Sequence, residues 1–236
     1  SEPVRLPDVH GIDPDLAWDD DGTCWVTVAG VSQVRIDPGT GAALGPQRPV
    51  WSGTPGAKAP EAPHLYRIGG SWYLLIAEGG TERGHGVSIA RGPAPDGPFE
   101  PCPDNPVLSH RSTEHPIQNT GHGDLVQGPD GSWWLLLLGV RPHGGTPGWH
   151  VLGRETFLAP VEWVDGWPRI GPVTESLGAP PWPLHPLAPE PARDDFDGPL
   201  GPGWVSLRQR SEQTVSTRER PGRLTLHAVG ASLDDR

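Results

Sequence analysis

One pattern occurs three times in this chain, and few folds accommodate it. Asp13-Pro14-Asp15-Leu16 leads through Asp19-Asp20-Asp21-Gly22 to Trp25-Val26-Thr27-Val28. Glu61-Ala62-Pro63-His64-Leu65 leads through Gly69-Gly70 to Trp72-Tyr73-Leu74-Leu75-Ile76. His122-Gly123-Asp124-Leu125 leads through Pro129-Asp130-Gly131 to the run from Trp133 to Leu138. Each time a short strand meets an Asp/Gly turn and an aromatic-aliphatic strand follows, which is a β-hairpin signature. The leucines that anchor the pattern, Leu16, Leu65 and Leu125, recur at intervals of roughly fifty to sixty residues, long enough for several strands per repeat.

A lone hairpin buries neither face, so such units must stack. Stacked multi-strand repeats point to a β-propeller. The chain holds 33 Gly and 31 Pro among its 236 residues, dispersed between Trp- and Val-rich runs. They interrupt almost every window that would carry a helical period, so the expected class is all-β. The net charge of −11 speaks against binding a phosphate backbone and is compatible with a neutral ligand such as a sugar. No apolar run approaches the ~20 residues of a membrane-spanning helix. Cys24 and Cys102 lie far apart without metal-type spacing and read as small core thiols.

The propeller reading makes a prediction about chemistry. The first strand of each blade lies nearest the axis, so residues three or four places before the anchor leucine converge at one mouth. Those residues are Asp13, Glu61 and His122. Glu61 stands between prolines and small apolar residues, Lys58-Ala59-Pro60-Glu61-Ala62-Pro63. A carboxyl framed in that way is poorly solvated and tends to keep its proton, as a group that protonates a leaving sugar oxygen must. The competing reading is that each polar residue caps its own turn.

Several runs resemble glycoside hydrolase family 43, especially its bacterial β-xylosidase-like members. They are Gly11-Ile12-Asp13-Pro14, Pro60-Glu61-Ala62-Pro63-His64-Leu65-Tyr66, Ile76-Ala77-Glu78-Gly79-Gly80-Thr81, Gly84-His85, Gly97-Pro98-Phe99-Glu100-Pro101-Cys102-Pro103, Thr120-Gly121-His122-Gly123-Asp124-Leu125-Val126 and Leu152-Gly153-Arg154-Glu155-Thr156. The resemblance implies a five-bladed propeller, of which about three blades are expected here, and hydrolysis with inversion by a base, a general acid and an aspartate that tunes and orients the acid. Glu61 matches the general acid and Asp13 the tuning aspartate. His122 matches an axial histidine that helps hold a calcium ion or a water cluster, and calcium is the one structural cofactor implied. Arg154 matches an arginine that reaches the substrate, and His85 and Gln118 are further candidates for substrate contact.

The family's base motif lies on a first blade that has no match before Asp13. The chain is therefore expected to be a fragment, inactive or nearly so by itself, because no side chain activates the water. Residues 1–177 are expected to form the partial propeller, 178–191 a Pro-rich linker, and 192–236 the start of a concanavalin-like β-sandwich whose full size would be about 100 residues or more. The substrates implied are xylan- or arabinoxylan-derived oligosaccharides, attacked from the end by a β-xylosidase, an α-L-arabinofuranosidase or both. A non-catalytic carbohydrate-binding propeller is the alternative. No nucleic-acid or membrane partner is expected, self-association is left open, and the expected compartment is the cytoplasm.

Trp25, Trp72, Trp133 and Trp134 are expected to pack between blades. Trp51, Trp149, Trp163, Trp167 and Trp182 are candidates for lining a pocket, because they lie near turns.

Overall fold

The structure is a computed structural model that describes residues 4–145, 148–180, 182–183, 193–201, 203–205, 214–228 and 230. The chain divides into two compact units, residues 1–183 and 184–236. The described residues contain no helix, and none long and apolar enough to cross a membrane.

Three four-stranded antiparallel sheets follow one another in the first unit. Blade 1 is β1 (Asp15–Trp18), β2 (Cys24–Val28), β3 (Ser32–Ile36) and β4 (Arg48–Pro49). Blade 2 is β5 (Glu61–Ile68), β6 (Ser71–Glu78), β7 (Gly86–Gly92) and β8 (Glu100–Pro101). Blade 3 is β9 (Gln118–Gln127), β10 (Trp133–Val140), β11 (Glu155–Val164) and β12 (Trp167–Ile170). Each blade is a simple up-and-down meander. The first strands lie side by side, with β5 against β1 and β9 against β5. This is three blades of a β-propeller, as the repeat requires.

The turns follow from their residues. Ile68 pairs with Ser71 across Gly69-Gly70, and both glycines have positive φ (57° and 86°). A two-residue hairpin turn of the I′ kind needs that geometry, which a residue with a Cβ adopts only with strain. In blade 1 the Asp21 carboxylate accepts the Thr23 amide, and Gly22 (φ 85°) completes the turn.

The middle strand β6 explains why its sequence is almost continuously apolar. Trp72, Leu74 and Ile76 pack with Ala17, Val31 and Leu65 between blades 1 and 2. Tyr73 and Leu75 point the other way, into a core with Val87, Ile89, Leu125, Leu135, Leu137, Phe157 and Ala159 between blades 2 and 3. Successive side chains leave a strand on opposite faces, so a strand between two packed layers must be apolar at every position.

The outer face of blade 1 has a smaller core. Cys24, Val26, Val28, Val34 and Ile36 are covered there by Leu6 and Val9. On the same face, Leu16 and Trp18 stay 48% and 54% exposed. The three anchor leucines therefore differ in role, since Leu65 and Leu125 are buried while Leu16 is not.

Cys24 and Cys102 are free and buried, as expected. In the second unit, β13 (Val215–Ser216) pairs with β14 (Thr225–Leu226), Phe196 meets Trp204, and Asp194 accepts the Trp204 indole N–H. Residues 181, 184–192 and 231–236, on which parts of the linker and sandwich expectations fall, lie outside the described residues.

Candidate active site

The first strands carry the polar residues, and they are the strands whose ladders break. On β5, Glu61 pairs with Ala77 and His64 with Leu75. Ala62 and Pro63 together face the single residue Ile76, which is a β-bulge. Ala62 takes up the extra length with φ 46°, a left-handed conformation rare for a residue with a Cβ. Partners two apart on β6 lie on one face, so the bulge returns Glu61 to the face that carries His64. Without the bulge, three positions along a strand would put these side chains on opposite faces.

A bulge leaves a donor outside the ladder. Pro63 has no N–H to lose, and the Ala62 N–H is donated across the blade boundary to Asp13 Oδ2 at 3.2 Å. Asp13 itself has φ 52° and is partly buried. The structure therefore brings Asp13 to the backbone immediately after Glu61, although they are 48 residues apart in the chain.

β9 breaks twice. Asp124 pairs with Leu136, Gly121 with Leu138 and Gln118 with Val140, with a register shift in each interval. His122 (φ 51°) and Asn119 (φ 55°) fall in those intervals. Around them, His122 Nδ1, Asn119 Oδ1, Gln118 Oε1 and His85 Nε2 are buried without a partner.

His85 is fully buried and its ring lies against Gly121. A Cβ on that glycine would come within 2.4 Å of the imidazole, so only glycine fits. Burial pushes the His85 pKa down, against a hydrogen bond between Nδ1 and the Asn119 carbonyl and the attraction of Glu61. His122 and Arg154 push it down further. His85, Glu61, His122 and Arg154 thus lie within electrostatic reach of one another. Gln118 is buried too, with Nε2 donating to the Thr113 and His115 carbonyls.

A ring of polar side chains runs below Glu61 and was missed as a site in the sequence. Asp15 Oδ1 faces His64 Nδ1 at 3.2 Å, and Asp15 Oδ2 accepts the Leu65 N–H at 2.9 Å. Tyr66 donates its hydroxyl to Asp124 and accepts the Leu125 N–H at 2.9 Å. The free edge donors of β5 and β9 are thus taken, at each anchor leucine, by a side chain of the preceding blade, so neither edge is left unpaired there. Burial lowers the His64 pKa, but the Asp15 hydrogen bond and the charges of Asp124, Asp15 and Asp13 outweigh it, so the net shift is upward. The Tyr66 hydroxyl is raised by burial and by Asp124. A signal for this ring existed: Asp15, His64 and Asp124 each directly precede the anchor leucine.

Arg154 is exposed at the start of β11. Its neighbour Glu155 forms a two-pronged pair with Arg141 (3.0 and 2.8 Å) that lowers the Glu155 pKa. A calcium ion takes six to eight oxygen ligands. His122 offers a nitrogen, and no three His, Cys, Asp or Glu side chains converge among the described residues.

The tryptophans need a correction. Trp163 and Trp167 pack edge-on against Tyr73 within the core between blades 2 and 3, and Trp51 packs against the core between blades 1 and 2. They lie near turns but fill blade interfaces, because a large ring covers the outer ends of the sheets. Trp182 meets Trp134, and Trp149 is 74% exposed.

The family model for glycosyl hydrolases family 43 matches residues 1–168. A non-reducing end α-L-arabinofuranosidase of Bacteroides ovatus is 47% identical over 204 residues, which are 84% of this chain and 38% of that protein. A xylosidase/arabinosidase of Butyrivibrio fibrisolvens is 34% identical over 96% of this chain and 48% of its own length. The crystal structure of a xylan β-1,4-xylosidase from Bacillus halodurans superposes with a TM-score of 0.78 at 36% identity, covering 92% of this chain and 45% of that one. The chain spans half or less of the length of each.

Proposed function

The chain belongs to glycosyl hydrolases family 43, and from that premise we propose that it takes part in hydrolysing terminal pentose units from xylan- or arabinoxylan-derived oligosaccharides, with Glu61 as general acid. The observation that carries this reading is the bond from the Ala62 amide to Asp13 Oδ2. It holds the bulge that returns Glu61 to the face of His64, and it sets an aspartate against the backbone next to Glu61.

In the proposed reaction the glycosidic C–O bond breaks as Glu61 passes its proton to the departing oxygen. Water adds to the anomeric carbon from the opposite face and gives up a proton to a second carboxylate, with inversion. Asp13 orients Glu61 through the backbone, by way of the Ala62 amide. Asp15 is held through both oxygens by His64 and Leu65, and Asp124 accepts the Tyr66 hydroxyl. We assign the acid side of the reaction to this chain and expect little turnover from it in isolation. Arg154, exposed at the mouth, suits a fork of hydrogen bonds to sugar hydroxyls. The relatives' names include both arabinofuranosidase and xylosidase, so the proposed substrates include both pentosides.

The test compares leaving groups in the longest protein that carries this chain. Glu61→Gln should lower kcat on xylobiose or arabinosyl oligosaccharides by about 10²–10⁴-fold, and much less on dinitrophenyl glycosides, whose leaving group needs no proton. Equal losses on both would remove the acid role from Glu61. A first-formed sugar of retained anomeric configuration would remove inversion.

A further inference from the structure

Asp13, just before β1, and Asp15, its first residue, reach two amides of β5, at Ala62 and Leu65. The acceptors are two residues apart and the donors three. The extra residue on the donor side is the β5 bulge, and on the acceptor side Asp13 stands just outside β1 in a left-handed conformation, φ 52°. A bulged strand has an adjacent register, without the extra residue at Ala62, that would turn Glu61 to the other face. We propose that Asp15 is a positioning residue for Glu61, the lower point of a two-point clamp that holds β5 in its bulged register. This rests on the reading of Glu61 as the acid, and extends it to a residue that touches neither Glu61 nor, by its placement, the substrate.

Asp15 is well suited to the task. Both of its oxygens are used, Oδ2 by the Leu65 N–H and Oδ1 by the His64 ring. It therefore fixes the backbone and the side chain of two successive β5 residues. Asp13 alone would leave the bulge free to slide about a single bond. Leu65 is buried in the core between blades 1 and 2 and is next to His64, the last regular position before the bulge. Pinning the amide there sets the origin from which the extra residue is counted.

The test uses the chain itself. Amide hydrogen exchange of Ala62 and Leu65 is measured by NMR in Asp15→Ala and Asp15→Asn, together with the carboxyl carbon resonance of Glu61. Asn keeps an acceptor for the Leu65 N–H and, with its amide donating, a partner for the other tautomer of His64. Asp15→Ala should speed exchange at both amides by about tenfold or more, as loss of a charge-assisted bond implies, and should shift the Glu61 resonance but not that of Glu82. Asp15→Asn should restore both. Faster exchange at Leu65 with Ala62 and Glu61 unchanged would overturn the clamp, because Asp15 would then hold only its own contact. If Asp15→Ala does not fold, His64→Ala removes one of the two contacts, and an unchanged Glu61 resonance together with unchanged Ala62 exchange would count equally against it. These readouts do not depend on turnover. If Glu61→Gln shows no leaving-group dependence, the acid assignment falls and the clamp is still judged by exchange.

Discussion

Blade 2 contains two neighbouring strands built on opposite terms. β6 pairs with β7 at seven successive positions without a break, from Trp72 to Glu78, and is buried from Trp72 onward. β5 pairs with β6 through a bulge and carries Glu61, His64 and Tyr66. Blade 3 repeats the contrast, with an unbroken β10–β11 ladder beside a β9 that breaks twice. The middle strands hold the blades together through apolar contact. The inner strands interrupt their own hydrogen bonding and carry polar side chains, and at Ala62 the lost bond is recovered from the neighbouring blade.

The contrast is broken most severely in the middle strand. Leu75→Ala or Leu135→Ala, each at fully buried positions, should cost about 2–5 kcal/mol, measured as a fall in urea midpoint with unchanged slope. A loss no greater than that of an inner-strand polar variant would contradict the division of labour. Gly121→Ala tests the inner strand at its tightest point, because its Cβ would meet the immovable His85 ring. About 1–3 kcal/mol is expected, with the Asn119 carbonyl contact of His85 disturbed in the histidine ring NMR signals.

Tyr66→Phe removes the acceptor of the Leu125 N–H and the donor to Asp124. It should cost about 1–3 kcal/mol and accelerate exchange of the Leu125 amide selectively. General loss of protection across β9 would mean that the edge bond is not local.

Two histidines should bend the stability profile in opposite directions. His85 has its pKa lowered by burial, so the unfolded chain takes up the proton first and stability drops as pH falls below about 6.5. His64 has its pKa raised by Asp15, Asp124 and Asp13 over the opposing effect of burial. Its contribution is full below about 6.5 and is lost as pH rises through the folded value. Urea midpoints between pH 5 and 8 should show a shallower acid slope in His85→Asn and a shallower alkaline slope in His64→Asn.

The smallest effect belongs to the surface. Arg67 pairs with Asp20 and lies over the Trp72 ring at 5.8 Å. Removal of the Arg67 side chain should cost no more than about 1 kcal/mol, mostly abolished by salt.

The hairpins were legible because their causes are local. Gly69-Gly70 dictates its turn, and the run from Trp72 to Ala77 can only be a strand with both faces covered. That Asp13 would come close to the Glu61 segment was legible too, because the repeat aligned both against the anchor leucines. That alignment was uneven, three places before Leu16 and Leu125 but four before Leu65, and it hid that β9 carries a register shift at the same place as β5, with His122 at the position of Ala62. Trp163 and Trp167 misled because position near a turn says nothing about which blade a ring will meet.

What the sequence determined by itself was the strand content, the turns and the family. Each of these follows from short-range pattern or from residue type. The tertiary structure alone decided which way Glu61 points. The direction depends on one extra residue whose amide must find a partner, and that partner, Asp13, belongs to another sheet. Hydrogen-bond satisfaction across blades is a property of packed strands, and no window of sequence contains both sides of it.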